Sequence, residues 1–122
     1  MDVHTLKEII RDNEKVDFIL EDLGMHHIKY KDNNYWSCGM PPTETQDGNN
    51  PSSTTIYNNE FLTVVAYTRN INPNSNSPSD IFTLIMFIKK ISFFKAVNYV
   101  CELLNLEYYK DEEKDIPLSL KF

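Results

Sequence analysis

Cysteine, glycine and histidine, the residues most used for cross-links, phosphate loops and metal sites, are scarce: two, three and three among 122 residues. Cys38 and Cys101 stand far apart, on a predicted strand end and a predicted helix face, so both read as reduced thiols rather than as a disulfide framework. Neither has an adjacent His or cationic cluster to lower its pKa, which leaves redox chemistry unsupported. The chain has no glycine-rich phosphate loop, no Ser or Cys nucleophile with a motif around it, and no acidic cluster able to hold two magnesium ions. Glu44 and Asp47 are loop carboxylates without a partner base. Catalysis by this chain is therefore not expected. A long apolar run is missing too: residues 81 to 88 are followed by Lys89 and Lys90, far short of the ~20 residues that cross a bilayer. Met1-Asp2-Val3-His4 lacks the basic patch and apolar stretch of a secretory signal, so a cytoplasmic location with no membrane partner is expected.

An excess of positive charge is also absent. Eighteen acidic and twelve basic side chains give a net charge of −6, the wrong sign for a dedicated nucleic-acid binder. The distribution matters more than the sum. Residues 1 to 23 hold seven acids against three bases and residues 106 to 122 five against three, whereas residues 24 to 105 are balanced at six of each. A nucleic-acid surface has to lie in this middle region.

What is present fits one folded unit. Apolar residues make up 41% and aromatics 12%, within the globular range and enough for a single core. Leu6, Ile9 and Ile10 predict a short first helix. Val16, Ile19, Leu20 and Leu23 predict a second, capped by Asn13 and ended by Gly24. From residue 26 the period becomes two. Ile28, Tyr30, Tyr35 and Ser37 are set against Lys29, Lys31, Asn34 and Trp36, with Lys31-Asp32-Asn33-Asn34 as the turn of a hairpin. His26 and His27, adjacent on a strand, should point to opposite faces. Residues 39 to 52 are rich in turn formers and predict a long surface loop. Ser53 to Tyr57 and Glu60 to Tyr67 predict a second hairpin, turning at Asn58-Asn59. Residues 69 to 79 form a connector. Asp80 or Ser79 should cap a helix from Ile81, and Ser92 a further one whose Phe93, Val97, Val100, Cys101 and Leu104 share a face. The fold class is α+β: a small antiparallel sheet of two hairpins, flanked by amino-terminal helices and covered by a carboxy-terminal helix pair. Residues 1 to 109 are one module, and 110 to 122 a charged tail or linker stub. Thirteen asparagines read as compositional bias, compatible with a phage or other mobile element.

Two stretches carry a resemblance. Asn34-Tyr35-Trp36-Ser37-Cys38 and the run from Ile81-Phe82-Thr83-Leu84-Ile85-Met86 through Ser92-Phe93-Phe94-Lys95-Ala96-Val97 together resemble the amino-terminal zinc-binding domain of bacterial DnaG-type primases. The first matches that family's "Asn-aromatic-aromatic, then Cys-Pro-x-His" hairpin. The second matches its closing "Phe-Thr-Phe-Leu-Met … Ser-Phe-x-Glu-Ala-Val" helix pair. The resemblance covers roughly residues 13 to 108 and implies a zinc-ribbon-like sheet.

A structural zinc site needs four Cys or His ligands delivered as two close pairs. With the family pattern laid on without a gap, Gly39 and Pro42 take the first two ligand positions. With one residue deleted they become Cys38 and Pro41, and the later pair falls near Val64 and Tyr67. No metal and no cofactor are expected, and Phe61, Leu62, Val64, Val65 and Tyr67 are expected to supply an apolar core in the ion's place. The resemblance further implies a noncatalytic module of DNA replication. It would contact single-stranded DNA, a primase catalytic domain or a helicase, with Lys29, Lys31, Asn34, Tyr35, Trp36 and Arg69 as nucleic-acid-binding candidates. The rival expectation is an acidic inhibitor or decoy that binds a basic protein.

Overall fold

The computed structural model describes residues 3–12, 14–41, 50–67, 70–72 and 78–106. The helices are α1 (Val3–Asp12), α2 (Val16–Asp22), α3 (Ile81–Lys89) and α4 (Phe93–Leu103); the strands are β1 (His26–Lys31), β2 (Tyr35–Gly39), β3 (Thr54–Tyr57) and β4 (Val64–Ala66). The α+β class is as expected. Strands β1 to β4 form one antiparallel meander in sequence order. Among the described residues no helix is long and apolar enough to cross a membrane.

The sheet is packed on one side. Trp36, Cys38, Ile56 and Val64 join Leu6 and Ile10 of α1, Val16, Ile19 and Leu20 of α2, Ile81, Phe82, Leu84 and Ile85 of α3, and Ala96, Val97 and Val100 of α4 in a single buried cluster. Two polar links brace this layer. The Lys7 ammonium donates to the Asp80 carboxylate at 2.7 Å with both groups largely covered, and the Tyr99 hydroxyl donates to Asp22 at 2.5 Å, joining α4 to α2.

Local chemistry sets the helix ends. Asp80 caps α3: its side chain accepts from the Thr83 N–H, and the Thr83 hydroxyl accepts from the Asp80 N–H, a reciprocal box that satisfies two otherwise orphaned donors. Ser92 caps α4 by accepting from the Lys95 N–H. Gly24 follows α2 with φ +87°, the left-handed geometry that ends helices. The expected Asn13 cap is replaced: Lys15 stands at the N-cap of α2, with no side-chain cap bond. Asn13 itself lies outside the described residues, as do most of the 39–52 loop and the 69–79 connector, and all of 110–122.

Register decides which residues meet. Lys31 pairs with Tyr35, Tyr30 with Trp36 and Lys29 with Ser37, so three residues separate Lys31 from Tyr35. Asp32 and Asn33, with φ of 57° and 53°, supply the reversed backbone. An odd loop length places residues of equal parity on one side, and a shift of one exchanges the faces of a whole strand. The expected grouping of Tyr30 with Tyr35 and Ser37 is therefore corrected: Tyr30 and Trp36 share the helix side, and Lys29, Lys31, Tyr35 and Ser37 the other.

Four further expectations are corrected. The 58–59 turn is instead a loop from Asn58 to Thr63, organised by Asn59, whose side-chain oxygen accepts from the Phe61 and Thr63 N–H groups. Leu62, not an Asn, takes the positive φ, 50°. Consequently β4 starts only at Val64. Of the five residues expected to form the substitute core, Leu62 and Val64 are buried, while Phe61, Val65 and Tyr67 are exposed. Gly39 continues β2 instead of opening the surface loop, and Met40 after it is fully buried, its N–H bonded to the Ser53 hydroxyl. Finally, His27 has φ 55° at a bulge in β1. The extra residue breaks the alternation of side chains, so the His26 and His27 rings meet edge to face with Nδ1 atoms 2.6 Å apart.

Candidate nucleic-acid interface

The second side of the sheet carries a different chemistry. Directly opposed residues of an antiparallel pair share a face. The register runs Lys31–Tyr35–Tyr57 in one row and Lys29–Ser37–Thr55–Val65 in the next. None of these side chains belongs to the hydrophobic cluster, and Tyr67, two residues beyond Val65, extends the face. It is 60% exposed, and its hydroxyl accepts from the Thr55 hydroxyl at 3.2 Å, which fixes it over this side. β-Branched and aromatic residues suit a pleated surface on either side. Here they build a platform rather than a second core.

Three tyrosines define that platform. The Tyr35 and Tyr57 rings stand 6.1 Å apart, tilted by 51°. Tyr57 shares a hydrogen bond with Tyr67, and the Tyr67 phenol beside it holds the Tyr57 phenol above its usual range, chiefly through charge repulsion between the two ionised forms. Near neutral pH Tyr57 therefore stays protonated, offering a ring face and a hydroxyl donor with no negative charge. Ser37 and Thr55 lie buried beneath the larger side chains, so the aromatic groups stand proud of a polar floor.

Lys29 and Lys31 border the tyrosines along the edge strand. Both are exposed, and neither ammonium has an ion pair or hydrogen bond among the described residues. Cations beside half-exposed rings are the chemistry that binds single strands: charge for phosphates and flat faces for unpaired bases.

The sequence candidates divide accordingly. Lys29, Lys31 and Tyr35 come together on the open side. Asn34 sits in the hairpin turn, its carbonyl accepting from the Asn58 N–H at 2.8 Å, and lies at the rim with its side chain exposed. Trp36 is corrected: it is 8% exposed on the helix side, against Tyr30 at 4.6 Å, and cannot stack on a strand that crosses the open side. Arg69 lies outside the described residues. Sequence reasoning missed Thr55, Tyr57 and Tyr67. Their odd numbers match Tyr35 once register is known, but nothing before the register was known separated them from core positions.

The ligand positions of the family pattern do not converge. Cys38 lies in the apolar core, where burial pushes its thiol up to about 12, while Tyr67 occupies the opposite side. No group of three or more His, Cys, Asp or Glu able to hold a metal gathers among the described residues. In comparisons with known proteins the chain matches no family model, no curated protein and no solved structure.

Proposed function

We propose that this chain is a noncatalytic module of DNA replication that binds single-stranded DNA on the open side of its sheet, alongside a primase or helicase partner. The observation that carries the reading is the set Tyr35, Tyr57 and Tyr67 with Lys29 and Lys31 on a sheet side that contributes nothing to the hydrophobic core. Stacking on an aromatic ring contributes ~1 to 3 kcal/mol per base and tolerates any sequence. Two lysines supply the salt-sensitive attraction that a net negative protein otherwise lacks. The resemblance to primase zinc-binding domains supplies the replication context.

Fluorescence anisotropy with a labelled oligothymidylate at low salt tests the surface. Tyr57→Ala and Tyr67→Ala should each weaken binding by ~5-fold or more. Lys29→Ala with Lys31→Ala should lower the slope of log affinity against log salt by about 1.4, from ~0.7 per neutralised phosphate. Absence of binding at low salt would remove the proposal. A priming reaction on single-stranded template, with and without the protein, tests the replication role.

A second reading rests on a separate observation. Glu8, Asp12, Glu14, Asp17, Glu21 and Asp22 of α1, α2 and their junction are all exposed, so the helical side is strongly acidic while the sheet side is not. An acidic surface of this kind suits a basic protein partner. Retention of a replication protein that is abolished by charge reversal on α1 and α2, without any binding of DNA, would favour it.

A further inference from the structure

The helix side of the first hairpin holds a cavity of about 350 Å³ lined by Arg11, Glu14, Asp17, Tyr30, Trp36 and Asn58. Arg11 comes from the last turn of α1, Glu14 from the α1–α2 junction and Asp17 from the first turn of α2. The tilted pair of Tyr30 and Trp36 forms an aromatic wall, with ring centroids 4.6 Å apart. Asn58 fixes the rest by accepting from Arg11 Nε at 3.0 Å and donating to the Tyr30 hydroxyl at 2.8 Å.

What these groups leave unused is the informative part. Arg11 makes no ion pair with Glu14 or Asp17, although all three line one cavity, and neither carboxylate has another partner among the described residues. The Arg11 Nη groups likewise have no acceptor there. The Trp36 side chain is more than nine-tenths buried, and its indole N–H also has no acceptor among the described residues. A buried donor without a partner carries an unmet desolvation cost. The cavity therefore offers a donor fork (guanidinium), acceptors (two carboxylates) and an aromatic wall.

Ligand chemistry follows from that inventory. A simple cation would meet Arg11, and a simple anion would meet both carboxylates. A neutral planar ring with donors on one edge and acceptors on another can pair with the guanidinium and with one carboxylate, leaving the second, exposed carboxylate to solvent. Guanine has that pattern: N1–H and the N2 amino group suit a carboxylate, while O6 and N7 suit an Arg fork. Adenine lacks the paired donors. We propose that this cavity holds a guanine base. The inference deepens the nucleic-acid reading by adding a base-selective site, but the cavity lies across the sheet from the tyrosine platform, so the two are tested apart.

The chain has one tryptophan, so a single indole N–H signal in the amide correlation spectrum of the isotope-labelled full chain reports directly on the cavity wall. Titration with guanosine should shift that signal saturably, with ~10-fold weaker binding of adenosine, which is within what one bidentate pair discriminates. Arg11→Gln and Asp17→Asn should each weaken guanosine binding several-fold with the rest of the spectrum unchanged, whereas Lys29→Ala and Tyr57→Ala should not affect it. Equal responses to guanosine and adenosine, or no saturable shift, would overturn the proposal. So would preferential binding of a blocked arginine amide that Arg11→Gln strengthens, which would mark the cavity as a cation site for a protein partner. Oligothymidylate contains no guanine: its binding without guanosine binding sinks only the cavity, and the reverse result sinks only the platform.

Discussion

Replacing Asp80 should destabilise this fold more than its quarter-exposed side chain suggests, because one carboxylate serves two elements. Its Oδ1 accepts from the Thr83 N–H at 3.0 Å as the cap of α3, and its Oδ2 accepts from Lys7 of α1 at 2.7 Å. The Lys7 side chain is 10% exposed and that of Asp80 25%. Losing an N-cap costs about 1 kcal/mol. Stranding a buried ion costs about 3 to 5 kcal/mol, and the partial exposure of Asp80 puts the value near the lower limit. Asp80→Ala should then cost about 4 kcal/mol. Asp80→Asn keeps a good capping acceptor but not the charge, and should cost about 3 kcal/mol. Lys7→Met leaves the carboxylate with its Thr83 donors and some water, and should cost about 1 to 2 kcal/mol. The double variant Lys7→Met, Asp80→Ala strands no charge. It should therefore be no less stable than Asp80→Ala alone, a coupling of about 2 kcal/mol. Urea unfolding followed by the fluorescence of buried Trp36 measures all four. If Asp80→Asn falls within about 0.5 kcal/mol of the wild type, the pair behaves like a solvated surface bridge and the reasoning fails.

Alkaline pH should weaken the fold. Burial raises the Cys38 thiol from 9.0 to about 12, and burial followed by the Asp22 contact raises the Tyr99 phenol. Both groups bind protons more tightly when folded, so this stability is full below about pH 9 and is lost as pH rises toward about 12; a series of urea midpoints reads the slope. In the native protein Cys38 should resist a thiol reagent at mildly alkaline pH and react only on unfolding, whereas rapid native labelling would contradict its burial. At Gly39 an added Cβ would lie 2.5 Å from the Asn50 carbonyl oxygen and 2.5 Å from the His26 ring, so Gly39→Ala should cost about 2 kcal/mol or more in the same assay. A chelator should leave the urea midpoint unchanged; a lowered midpoint would reveal a structural metal.

Periodicity and capping chemistry in the sequence determine much of this protein. The helical spacing of Val16, Ile19 and Leu20, the cap at Asp80, the cap at Ser92 and the stop at Gly24 are local signals, because each is read within about one helical turn. The alternation after residue 26 likewise announced strands. Tertiary structure alone decided which side of the sheet each residue faces. That outcome hangs on the three-residue loop between Lys31 and Tyr35 and the positive φ of Asp32 and Asn33. A side-chain period of two turns a one-residue difference in loop length into a complete exchange of faces. For that reason Trp36 entered the core while Tyr57 and Tyr67, distant in sequence from Lys29 and Lys31, joined them on one surface.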